Sequence, residues 1–466
     1  MNSFKLLLLS AFFTFTLNLF SQTYTMPEEN KPHEGTWLQW PHQYEYGLSY
    51  RTSLEPTWVA MTQALIQGEK VHIIAYDATE QTRITNVLTT AGISLTNIDF
   101  KQYQTNDVWV RDNGPVFVND ATGNQVILDW GFNGWGGKYN YILDNPIPSE
   151  VGTSIGIPVV NLNSTMTVEG GAYEIDGKGT LMATRSSIIS QSPANSVRNP
   201  GMTQAQAEAA LAANIGVSKF IWLNGLTGTS DITDMHIDGF VQFANDSTIV
   251  TMDSTDLDYW YVSAADITTL YHAANVNNRP YHFVYVPLTQ NNVVTTSGTN
   301  LGYQGSYCNY YIANTVVLVP NYNDPNDAAA NAIIQSLYPG KTVVGIDVRN
   351  LYSNGGMVHC VTQQQPLAIT TGINNQAEQQ LNVEQNFPNP FSTVSTINIS
   401  LDKEVEVTIE IYNTYGQLVS TLMNSTLAGG KHAITINADK YNNGIYNYVV
   451  KINNQLTISK RMVVMK

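Results

Sequence analysis

Five short runs are apolar almost without interruption: VHIIAY (71–76), QVILDW (125–130), FIWL (220–223), STIVTM (247–252) and NTVVLVP (314–320). A strand with one wet face alternates apolar and polar residues, so runs without alternation require a sheet covered on both sides. Windows compatible with helix lie between them. Pro56–Lys70 places a proline at a first turn, Thr203–Ala213 is rich in alanine, and Pro325–Leu337 is entered through NDPND. Strands that alternate with helices predict an α/β domain over residues 23–370. No short repeat of the solenoid kind is present.

Both ends of the chain break this pattern. Residues 1–22 carry Lys5 and then an apolar stretch that ends near Phe20-Ser21-Gln22, which reads as a secretory signal peptide. Ser10, Thr14, Thr16 and Asn18 interrupt the stretch, making it a poor permanent span of the ~20 apolar residues a bilayer needs. Residues 371–385 are polar, lack apolar periodicity and read as a linker. From 386 to 466 apolar and polar residues alternate in STINISL, EVTIEIYN, HAITIN, IYNYVVKI and TISKRMVVM, with turn signals at Tyr415-Gly416 and Gly429-Gly430. That alternation predicts a small all-β sandwich.

Charge narrows the partners. Lys and Arg total 22 against 37 Asp and Glu, a formal charge of −15. Without a basic block the chain cannot displace counterions from phosphates, which excludes nucleic acid, and its acidity favours the approach of cations. Two cysteines in the whole chain exclude a disulfide-rich scaffold and any all-cysteine metal site. Gly340-Lys341-Thr342 imitates the end of a phosphate loop, but residues 331–339 contain no glycine. GFNGWGG (131–137) lacks dinucleotide spacing and reads as a tight loop lining a pocket. Neither GxSxG nor HExxH occurs.

Four segments set polar residues beside apolar runs, with glycine where the chain would turn towards a pocket: DVWVRDNGPVFV (107–118), VEGGAYEIDGKGTLMAT (168–184), DITDMHIDGFVQF (231–243) and NGGMVHCVTQQQP (354–366). Together they offer a thiol, imidazoles and several carboxylates, an inventory suited to a nucleophile, a proton shuttle and a cation clamp. In this order, with MPEENKPHEGTWLQWPH (26–42) and SYCNYYIAN (306–314), they resemble the agmatine deiminase and bacterial peptidylarginine deiminase family of guanidine-modifying enzymes. The resemblance spans roughly residues 26–366. It implies the pentein fold, a five-bladed α/β propeller, and chemistry without a metal or organic cofactor.

The resemblance also assigns roles. Cys360 matches the nucleophile, His236 the general acid/base, and Asp112 and Asp238 the two carboxylates that hold a guanidinium by forked, charge-assisted hydrogen bonds. Glu169 is a further carboxylate near the guanidinium, and Asn309 a polar lining residue. A histidine and an aspartate two apart on a strand share a face, so DITDMHID is also compatible with a metal. His359 competes for the shuttle role, but adjacency in an extended chain would point it away from Cys360. In DWGFNGWGGKYN (129–140) Trp135 offers an aromatic face to an aliphatic amine, and Lys138 is the only cation. The expected substrate is agmatine, converted to N-carbamoylputrescine, with arginine in peptides as the alternative. A surface adhesin that only binds cationic peptides is the non-enzymatic alternative.

The tail resembles the C-terminal sorting module of type IX secretion in Bacteroidetes through NFPNPF (386–391), IYNTYGQLV (411–419), GIYNYVVK (444–451) and the basic end KRMVVMK. That resemblance implies the type IX machinery as a partner and a secreted or surface-attached product.

Overall fold

Apolar runs that must be covered on both faces call for helices laid against short sheets, and that is the observed arrangement. A computed structural model describes residues 24–189, 198–226, 231–368, 381–401, 404–413, 417–452 and 456–466. The expected signal peptide (1–22) and most of the expected linker lie outside the described residues. The chain divides into two compact units, Met1–Ala368 and Ile369–Lys466.

The described part of the first unit contains five separate sheets, all built on one motif. An antiparallel pair comes first, and a helical crossover then adds a parallel strand. Val116–Asp120 pairs antiparallel with Gln125–Gly131, and Val159–Thr167 joins in parallel. The same order recurs in Tyr173–Ile175, Thr180–Thr184 and Lys219–Leu223. It recurs again in Val241–Asn245, Thr248–Thr251 and His282–Tyr285. The fourth sheet is Tyr311–Ile312, Val316–Asn321 and Thr342–Asp347. In the fifth, Gln363–Pro366 returns to pair antiparallel with His33–Gln39, which is followed in parallel by Lys70–Ala75 and Ile98–Gln102. Each of the five apolar runs falls on one of these strands. The repeat is one of structure, in a sequence without short repeats of the solenoid kind.

One helix boundary differs from the expectation. The first long helix is Gly47–Leu65, so Pro56 sits in its interior rather than at its first turn. An interior proline costs about 3 kcal/mol through a lost hydrogen bond and a clash. Leu54, Trp58, Met61 and Leu65 are completely buried on one side of this helix, and Pro56 lies on its exposed side. Burial of those large side chains, at roughly 1.5–3 kcal/mol each, outweighs the proline.

In the second unit the strands form two antiparallel sheets. One contains Leu381–Val383, Val394–Leu401 and Gly430–Asn437. The other orders Leu418–Leu427, Val405–Asn413, Gly444–Ile452 and Leu456–Val464 side by side. Ile397, Ile399, Ile409, Ile411 and Val450 fill the core between them. Leu418–Leu427 was absent from the expected strands because it is an edge strand with no fully buried residue, so its alternation is weak.

Candidate active site

Each of the five sheets sends one or two polar side chains from the segment that leads into the first strand of its repeated motif. Asp112 lies on the helical turn Val110–Asn113, ahead of Val116–Asp120. Glu169 precedes the turn Gly170–Ala172 and the strand Tyr173–Ile175. His236 and Asp238 bracket the start of the turn Ile237–Gly239, ahead of Val241–Asn245. Asn309 comes two residues before Tyr311–Ile312, and Cys360 sits in the turn His359–Val361 before Gln363–Pro366. The fold therefore converts five distant sequence segments into one cluster.

A cleft of roughly 1490 Å³ is lined by Asp112, Trp135, His236, Asp238, Asn309 and Cys360. The Cys360 thiol approaches Asn309 Oδ1 at 3.5 Å and Asp238 Oδ2 at 4.0 Å. Asp112 accepts hydrogen bonds from the Trp135 indole N–H at 2.9 Å and the Gly171 backbone N–H at 3.1 Å. The His236 ring faces Asp112 at 3.7 Å and Glu169 at 3.2 Å through its two nitrogens. Two glycines make this convergence possible. A Cβ on Gly171 would lie 2.7 Å from His236 Nδ1, 2.9 Å from Asp238 and 3.0 Å from Asp112. A Cβ on Gly356 would lie 2.2 Å from the Trp109 ring.

The electrostatics follow from burial and crowded carboxylates. Burial, reinforced by Asp238 and Glu169, pushes Asp112 up to about 6. Burial pulls the His236 imidazole down, but Asp112, Glu169 and Asp238 outweigh it and hold the ring at about 9. Burial together with the Asp238 and Asp112 carboxylates pushes the Cys360 thiol well above its ordinary range. Burial raises Glu169, yet Arg198 and His236 overcome that and leave it below its ordinary value.

Several expectations change in detail. Glu169 is wholly buried behind His236, between that ring and Arg198, and does not line the cleft. Trp135 lines the cleft, but only 4% of it is exposed and its N–H is committed to Asp112. Lys138 does not face the cleft as a free cation, because its ammonium is bonded to the Asp231 and Ile232 carbonyls and to Asp234. His236 and Asp238 lie on a turn, not a strand, so the shared-face argument for a metal does not apply. His359 and Cys360 are in a helical turn rather than extended, and the His359 ring meets Asp238 at 2.8 Å.

Three residues escaped sequence reasoning: Arg198, which holds Glu169; Glu29, which meets the His359 ring at 3.0 Å; and Gly171. Glu29 lies within the quoted opening motif, and nothing there distinguishes it from its neighbour Glu28.

Residues 25–366 match the family model described as Porphyromonas-type peptidyl-arginine deiminase, and residues 385–465 match the secretion system C-terminal sorting domain. The chain is 30% identical over 367 residues to the agmatine deiminase of Pseudomonas aeruginosa (strain LESB58), covering 74% of this chain and 95% of that protein. The agmatine deiminase of Pseudomonas fluorescens (strain SBW25) is also 30% identical over 367 residues, covering 73% and 95%. Among solved structures, the agmatine deiminase of Enterococcus faecalis aligns with a TM-score of 0.62 at 25% identity, over 74% of this chain and 96% of that one.

Proposed function

Since the chain belongs to the Porphyromonas-type peptidyl-arginine deiminase family, hydrolases of guanidino C–N bonds, we propose that Cys360 attacks a guanidinium carbon held between Asp112 and Asp238. The adduct is tetrahedral, and its collapse expels ammonia with a proton from the His236 imidazolium. A thiouronium on Cys360 remains. The now neutral His236 takes a proton from water, the hydroxide adds to the same carbon, and the thiolate leaves. The hydroxyl proton of the collapsing adduct passes to solvent, where the released ammonia takes it up, so the products are a ureido compound and ammonium.

The observation that carries this reading is the charge arrangement around the sulfur. Two carboxylates beside a half-buried thiol keep the proton on it in the free enzyme. A guanidinium placed between them cancels their charge, so substrate binding itself favours the thiolate. His236, held protonated by its three carboxylates, is ready to act as an acid at neutral pH.

The preferred substrate in this reading is a small guanidino amine, agmatine first, giving N-carbamoylputrescine. Among the described residues that line the cleft there is no Lys or Arg, whereas Asp107, Asp231 and Asp258 are present. A substrate carboxylate would find no cation there, and an unpaired anion is costly to desolvate. A second ammonium would be welcome. Arginine inside a peptide, converted to citrulline, is the second reading, favoured by a cleft larger than the usual 300–1,000 Å³ or so of small-ligand pockets. The sorting domain marks the protein as secreted or attached to the cell surface and implies the type IX machinery as partner, an address that also gives access to protein substrates. The same reading takes the five sheets as the blades of a pentein propeller around the cleft.

Steady-state assays with agmatine and with a peptide carrying an internal arginine separate the two. The expected result is a higher kcat/KM for agmatine. Faster citrulline formation in the peptide would overturn that preference in favour of the second reading.

A further inference from the structure

His359 is next to Cys360 in sequence, yet its ring serves another residue. Nδ1 lies 2.8 Å from Asp238 Oδ2, and Nε2 lies 3.0 Å from Glu29 Oε2. Only 2% of the residue is exposed. Carboxylate oxygens only accept, and a neutral imidazole has a single N–H to give. Both contacts are satisfied together only when the ring carries two protons.

The far end of this pair is itself fixed. Glu29 accepts from the Ile312 backbone N–H at 2.8 Å and from the Arg111 guanidinium at 3.0 Å. Arg111 also donates to the His359 carbonyl at 3.3 Å, and the His359 backbone N–H donates to Asn309 Oδ1 at 3.0 Å. Among the described residues Glu174 is a further titratable neighbour, 3.9 Å from Nε2 and too distant for a hydrogen bond. The ring is thus held at both nitrogens, and of its two hydrogen-bond partners Asp238 is the one that lines the cleft.

We propose that His359 is a positioning residue: an imidazolium anchored by Glu29 that fixes the carboxylate of Asp238 for the substrate guanidinium. The inference rests on the reading of Asp238 as a guanidinium ligand. The surrounding charges agree with it. Burial and Arg111 pull the ring down, but Glu29 and Asp238 outweigh them and hold it at about 9. Burial alone would raise Glu29, yet His359 and Arg111 bring it to about 2. Burial, with Glu29 and Asp238 adding, lifts Glu174 to about 8, which keeps it largely uncharged at neutral pH.

The test uses the two amides that imitate one ring nitrogen each. Asparagine places a donor where Nδ1 stood, towards Asp238, and glutamine places one where Nε2 stood, towards Glu29. In the full chain, kcat/KM is measured for whichever of agmatine and the arginine peptide is turned over faster. His359→Asn is expected to stay within about tenfold of the parent, and His359→Gln to fall by about a hundredfold. In an Asp238→Asn background His359→Gln should cost less than about threefold, because its effect passes through Asp238. Equal losses for both amides, or a full loss in the Asp238→Asn background, would overturn the proposal. Retained turnover in Asp238→Asn alone would instead overturn the reading of Asp238. Should the variants fail to fold, the ring nitrogens of His359 in the unmodified protein still decide. By ¹⁵N NMR both are expected to be protonated at pH 7, and a singly protonated ring there would contradict the proposal.

Discussion

Cys360→Ser is expected to lower kcat/KM by more than about a thousandfold, while Cys308→Ser keeps most of the activity. Both cysteines are free thiols, so the difference is one of surroundings. Cys308 is completely buried, and burial pushes its thiol up to about 12. Its complete burial leaves it no open face towards a cationic substrate. Cys360 is partly exposed, lines the cleft, and stands beside the two carboxylates proposed to bring the cation. A serine hydroxyl retains the contact to Asn309 but cannot become an anion at neutral pH. Comparable losses in the two variants would argue that neither thiol is the nucleophile.

Asp238→Asn should separate two effects of opposite sign. The amide keeps the shape of the carboxylate but loses one arm of the cation clamp, and it leaves Nδ1 of the His359 ring facing an uncharged partner while Nε2 keeps Glu29. Removing one member of a buried, hydrogen-bonded charge pair costs about 3 kcal/mol or more, roughly a hundredfold in kcat/KM. Yet after burial itself Asp238 is the larger of the two charges that push the Cys360 thiol up. Iodoacetamide should therefore alkylate Cys360 in the substrate-free variant faster than in the parent, by about threefold or more at pH 7.5. Slower turnover together with slower alkylation would show that Asp238 supports the structure of the loop rather than its charge.

How much of this was legible in the sequence depended on the distance between partners. The apolar runs announced the strands because a covered strand leaves a continuous signature in its own residues. Asp112, His236, Asp238 and Cys360 were legible because the segments that carry them set polar residues and glycines beside apolar surroundings and, in that order, resemble a known family. Glu29 and Arg198 did not. Glu29 meets a ring 330 residues away, and Arg198 owes its role to Glu169, 29 residues earlier, so neither leaves a local pattern. Trp135 was legible as a residue of the pocket but not in its task. Its backbone takes a left-handed conformation, φ 56°, in a glycine-rich loop, and the indole N–H is directed to Asp112. Pro56 misled for a similar reason: the penalty is local, whereas the packing that overcomes it is tertiary.

The central claim is that the guanidino carbon passes through a covalent bond to Cys360. Rapid acid quenching during turnover of substrate labelled at that carbon, followed by peptide mapping by mass spectrometry, tests it directly. The account predicts labelled carbon on the peptide that contains Cys360 and none in the Cys360→Ser protein. An unlabelled Cys360 throughout active turnover, or label on another residue, would contradict it.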